Sequence, residues 1–174
     1  KELATKADKQ DDLLVEEFSL LQPLDTEHVI AVPDDEKGVK YTFLQTWIKE
    51  TLDYINTVDI EKFSGGIAYL LLTLSFRIDY LITPEGKLLH DLEKIVDIYY
   101  RKDEKPIVDK NNGMIDGFKK ILDRTKEQVF PFLFRSKHVF SIVTPQNHKA
   151  VSDAVSNAAL NMVWYRDNNH AFIA

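Results

Sequence analysis

Apolar side chains recur along this chain at two spacings, and those spacings divide it into helices and short strands. From 39 to 55, Tyr41, Leu44, Ile48, Leu52 and Ile55 step by three or four and predict a helix whose first residues are extended. The stretch IAYLLLTLSFRIDYLI, 67–82, is apolar on nearly every side for three turns, the signature of a helix enclosed by other helices. Leu88, Leu92, Ile95 and Tyr99 form the stripe of a further helix, flanked by Leu89 and Val96. Ile115, Phe118, Ile121, Leu122 and Val129 extend another from 114 to 129, where Pro131 stops it. Small residues, Val151, Ala154, Val155, Ala158, Ala159 and Met162, mark a last helix over about 146–165. Such a face permits close helix–helix approach.

β-branched runs are fewer. EHVIAV (27–32) and HVFSIVT (138–144) each read as a strand, and together they predict one two-stranded element. Polar, turn-forming segments separate the periodic ones: PDDEKG after the first strand, and RKDEKPIVDKNNG (101–113) as a linker. Asp59 has the character of an N-cap, Ser64-Gly65-Gly66 of a break, and Pro84-Glu85-Gly86 of a boundary between two helices. Residues 1–12 are charged with weak periodicity, which predicts a mobile start followed by a single helical domain over 13–174. The expected fold class is mainly α: a compact bundle of five or six helices with a minor two-stranded β element.

Length matters most for the 67–82 segment. A membrane-spanning helix needs roughly 20 predominantly apolar residues. Here only 67–76 is free of charge before Arg77 and Asp79 intervene. Each such charge at a bilayer centre costs about 2.5–3.5 kcal/mol on insertion scales. The expectation is therefore a core helix and no membrane span. Within it Tyr69, Thr73, Arg77 and Tyr80 follow at spacings of four, four and three, so they share one face. Two tyrosines and an arginine on one face make a candidate groove for an anionic or peptide partner, against the plainer reading of Arg77 as a surface charge at a helix end.

Composition narrows the chemistry by exclusion. With 174 residues, 44% apolar and 29% charged, the chain lies in the globular class. It has no cysteine, so disulfides, thiolate catalysis and cysteine–metal sites are ruled out within it. Its first residues, Lys1-Glu2-Leu3-Ala4, are neither a methionine start nor a signal peptide, which fits a processed chain or a piece of a longer one. His28, His90, His138, His148 and His170 form no metal-ligand motif. His90 and Asp97 share a helical face with Lys94 between them, and a lysine beside two ligands discourages a metal. DKNNG (109–113) fails the calcium-loop pattern, with Gly113, Met114 and Lys120 at its fifth, sixth and twelfth positions. FSGG lacks the lysine of a phosphate loop. No catalytic residue, cofactor or metal is expected.

Charge is unevenly spread. The net charge is −6, yet residues 1–36 carry three basic against eleven acidic side chains. Residues 119–138 carry Lys119, Lys120, Arg124, Lys126, Arg135 and Lys137 against Asp123 and Glu127, with Phe118, Phe130, Phe132 and Phe134 interleaved. Cations alternating with aromatic rings are the raw material of a nucleic-acid or anion site. Core phenylalanines on a helix with a solvated basic face are the simpler account. The leading expectation is a non-catalytic interaction or assembly module, an adaptor or scaffold that binds another protein or itself. Trp47, Tyr99, Tyr100, Trp164 and Tyr165 are its candidate anchors if exposed. A nucleic-acid accessory protein using 119–138, or an enzyme whose site assembles only in three dimensions, are the alternatives. An intracellular, soluble protein is expected.

Overall fold

A computed structural model describes residues 14–15, 17–21, 29–137 and 147–168. Among them are six helices and one two-stranded antiparallel sheet, a mainly α bundle with a minor β element. The helices are α1 (Asp34–Ile55), α2 (Ser64–Ile82), α3 (Gly86–Tyr100), α4 (Ile107–Leu122), the single turn α5 (Lys126–Val129) and α6 (His148–Asp167). The strands are β1 (Val29–Ala31) and β2 (Phe134–Ser136). The chain divides into two compact units, 1–137 and 138–174.

In the first unit, α2 is the centre of the core. It packs against α1, α3 and α4, and α4 in turn packs against α1 and α3. Ile67, Leu71 and Ile78 of α2 are fully buried, as are Leu44 and Ile48 of α1, Leu88 of α3, and Met114 and Phe118 of α4. A fully buried aliphatic or aromatic side chain contributes about 1.5–3 kcal/mol each relative to exposure, so this interdigitation supplies the main driving force. By length and composition α2 is apolar enough to cross a bilayer, and more than half of that apolar stretch is buried inside the bundle.

Several boundaries differ from the sequence expectation. PDDEKG is not a turn: the helix begins at Asp34 and runs through Gly38. Asp34, Asp35 and Glu36 occupy its first turn, where carboxylates face the partial positive charge of the helix N-terminus, and Pro33 stands at the N-cap. Residues 39–43 are accordingly helical, not extended. The 101–113 linker shortens to 101–106, because α4 starts at Ile107 after Pro106. The glycines and serine of 64–66 open α2 instead of breaking the chain, while Asp59 caps the preceding turn by accepting from the amides of Glu61 (3.0 Å) and Lys62 (3.1 Å).

The helix expected over 114–129 is two. α4 stops at Leu122, and Thr125 restarts the chain with a capping box, its backbone N–H donating to Gln128 Oε1 at 3.0 Å. A 3-10 turn, Phe130–Phe132, follows and leads into β2. The partner of β1 is therefore Phe134–Ser136, in the register Val29↔Ser136, Ile30↔Arg135 and Ala31↔Phe134. The strand expected at 138–144 lies outside the described residues, as does the 1–12 segment. A three-residue ribbon is marginal by itself. It is held by buried Leu133 just before β2 and by an ion pair from Arg135 back to Glu36 in α1.

Two lysines close helix ends. Lys40 Nζ of α1 donates to the Ile82 carbonyl at 2.8 Å, and Lys110 Nζ of α4 donates to the carbonyls of Tyr99 (3.1 Å) and Arg101 (2.6 Å). Both cations sit where the helix dipole leaves negative charge and unpaired carbonyls. Burial lowers the Lys40 pKa from its ordinary value, an effect that Glu36 partly offsets.

The second unit contributes α6. Asn147 caps it, its Oδ1 accepting from the Ala150 amide at 2.8 Å. Trp164 and Tyr165 meet edge to face with ring centroids 5.1 Å apart. None of its residues is buried; Val155, Leu160 and Trp164 are all more than half exposed.

Candidate interaction face

The bundle covers only one side of α2. Its outer side carries Tyr69, Thr73, Phe76 and Tyr80, exposed residues at spacings of four, three and four, with Arg77 alongside. All four residues expected to line a groove, Tyr69, Thr73, Arg77 and Tyr80, are thus exposed on one face. They form a ridge. Tyr69, Phe76 and Tyr80 retain 46%, 52% and 57% of their surface in solvent, a high proportion for aromatic rings on a core helix.

On one flank the ridge joins α1. The Arg77 guanidinium lies 4.0 Å from the centroid of the Trp47 ring, a cation–π contact, and Trp47 packs against Phe43 with centroids 5.4 Å apart. Val39 and Phe43, one helical turn apart on α1, are each about half exposed. Arg77 therefore works as a bridge between two helices rather than as an isolated surface charge. Trp47 is half-buried, and of the other candidate anchors Tyr100 is exposed and Tyr99 half-buried.

On the other flank the ridge drops into a cleft of about 210 Å³ between α2 and α3. Its apolar walls are Phe76, Leu89, Leu92 and Val96. Asp79, Glu93 and Asp97 stand in the same cleft, and among the described residues no lysine or arginine lines it. Asp79 is exposed as a residue, yet partial burial of its carboxyl, seconded by the nearby charge of Glu93, raises its pKa above the ordinary aspartate value. His90 approaches Glu93 at 3.8 Å from the edge of α3. Neither Arg77 nor His90 is among the residues that line this cleft. His28, His138 and His170 lie outside the described residues. Among the described residues no group of three histidines or carboxylates has the geometry to hold a metal ion.

The six cations of 119–138 do not form one patch of free charge. Arg124 is ion-paired with Asp91 of α3, and Arg135 with Glu36 of α1. Burial alone would raise the Asp91 pKa, but the hydrogen bond and charge of Arg124, with Lys94 behind, lower it below the ordinary value. Lys119 stands 3.7 Å from Asp116, while Lys120, Lys126 and Lys137 are exposed. The interleaved rings are also committed to packing. Phe118 is fully buried, Phe130 meets Tyr41 edge to face at 6.3 Å, and Phe132 lies against Gly86.

Sequence spacing located the ridge but missed Phe76, although Phe76 completes the same period between Thr73 and Tyr80. It also missed the cleft. Asp79, Glu93 and Asp97 come from two helices, and only the packing of α2 on α3 brings them together. No protein-family model matches this chain, and no curated protein or solved structure is significantly similar to it.

Proposed function

We propose that this protein is a non-catalytic interaction module and that the outer face of α2, with its flanks on α1 and α3, is its binding surface. One observation carries the reading: a helix whose inner side forms the centre of the core turns a ridge of half-exposed aromatic rings outward. Exposed rings held on rigid helices lose little conformational freedom on binding, and desolvating them is favourable. The apolar content of α2 is accounted for by this division of labour, a core side and a docking side, without a bilayer.

The test is a double substitution on the ridge, Phe76→Lys with Tyr80→Lys. Both side chains are about half exposed, so each change costs about 1 kcal/mol, small enough for the domain to stay folded. Capture from extracts of the source organism, followed by light scattering of the purified protein, compares the double variant with the parent. Loss of the co-purifying protein, or of self-association, with an unchanged circular dichroism spectrum supports the proposal. Full retention of both by the folded double variant sinks it.

A further inference from the structure

Chemistry in the α2–α3 cleft goes further than a general docking surface. It runs from Ser75 to Asp79 on α2, about one helical turn, and from Leu89 to Asp97 on α3, about two. A groove of that length between two helices is shaped to receive side chains from a third, as ridges fill grooves in helix packing. Its volume of about 210 Å³ suits one or two side chains, and is below the roughly 300–1,000 Å³ of a typical small-molecule pocket.

Charge decides which side chains. Three carboxylates, Asp79, Glu93 and Asp97, share a cleft whose remaining walls are mainly apolar. An anionic occupant would add to the like-charge crowding at Asp79 and Glu93. An uncharged one would desolvate the carboxylates of Asp79 and Asp97 and offer them no charge in return. A cation on an apolar stem relieves both: its methylenes cover Phe76, Leu89 and Val96 while its head group meets the carboxylates.

We infer that the α2–α3 cleft receives a lysine or arginine carried on an amphipathic basic helix of a partner protein. This rests on the reading of the α2 outer face as an interaction face.

Two synthetic helical peptides of roughly 18 residues test it, one of leucine and lysine and one of leucine and glutamate in the same amphipathic pattern. Each is titrated into the isotopically labelled full chain and followed by backbone amide shifts. The leucine–lysine peptide is expected to move Phe76, Leu89 and Val96 saturably, and to weaken severalfold when salt rises from about 0.05 M to about 0.5 M. The leucine–glutamate peptide is expected to leave them unmoved. Asp79→Asn with Asp97→Asn should weaken the leucine–lysine peptide about tenfold while the amide spectrum remains that of a folded protein. Equal binding of the two peptides, unchanged binding to the double variant, or shifts scattered over the acidic surface would each overturn the inference. So would movement of the same amides on simple dilution, which would assign the cleft to a second copy. If both peptides move Tyr69, Phe76 and Tyr80 alike, the cation assignment fails while the interaction face stands.

Discussion

At the scale of single residues, buried polar groups carry more information than exposed ones. Asn111 is fully buried in α4, and its Nδ2 donates to the Ser64 carbonyl at the start of α2 at 2.8 Å. Sequence reading placed it in a polar linker, because DKNNG has the composition of a turn. Its helical and buried state follows from tertiary packing, which composition does not encode. Asn111→Ala should lower stability by about 1–3 kcal/mol in chemical denaturation, the cost of removing a buried hydrogen-bonding partner. A change below about 0.5 kcal/mol would show that the bond contributes nothing net.

The Arg124–Asp91 pair makes a pH-dependent prediction. Both side chains are largely buried, with 18% and 23% of their surface exposed. The pair holds the Asp91 pKa below its unfolded value, so its contribution is complete above the ordinary carboxylate pKa. That contribution disappears as pH falls through the depressed folded value. Arg124→Met should therefore cost about 1–3 kcal/mol at neutral pH, and the gap to the parent should narrow on acidification below about pH 4. A gap that stays constant or widens between pH 7 and pH 3 in urea titrations would contradict this account of the pair.

At the scale of elements, helix faces were legible and helix ends were not. The stripes Leu44–Ile48–Leu52–Ile55 and Leu88–Leu92–Ile95 are buried as their periods require. Ends depend on local chemistry that periodicity passes over. The capping box at Thr125 and Gln128 was readable in TKEQ, yet the apolar period running past it concealed the break. The β1–β2 pairing was half legible, since a strand shows its own propensity but not its partner. Lys40 and Lys110 were invisible as caps because each reaches the end of another helix, and periodicity within one helix does not reveal that contact.

Glycines separate packing from propensity at this scale. A Cβ on Gly117 of α4 would fall 2.5 Å from Ile95 Cγ1 of α3, so the close approach of these helices requires glycine. A Cβ on Gly38 of α1 meets nothing within 4 Å. Gly38→Ala should stabilise the fold by about 0.5–1 kcal/mol through helix propensity. Gly117→Ala should destabilise it by about 1–3 kcal/mol despite the same propensity gain. Thermal melts of the two variants check the pair, and shifts of the same sign would contradict the α3–α4 packing.

At the scale of the whole molecule, α2 defines both the architecture and the proposed function. Its apolarity predicted a core helix, and its inner side is one. The ridge of Tyr69, Thr73 and Tyr80 was visible from spacing alone, whereas the cleft beside it was not, because a cleft is a property of two packed helices. The charge asymmetry of the sequence proved less informative. Arg124 and Arg135 are engaged by Asp91 and Glu36, so two of the six clustered cations are paired within the fold.

Hydroxyl-radical footprinting with residue-level mass spectrometry tests the two-sidedness of α2 most directly. Tyr69, Phe76 and Tyr80 are predicted to be modified at the rates of exposed aromatic side chains, while Leu71, Leu74 and Ile78 of the same helix stay protected. Equal protection of both sets would mean that α2 is enclosed all round, and equal modification would mean that it is not a core helix; either result contradicts the account.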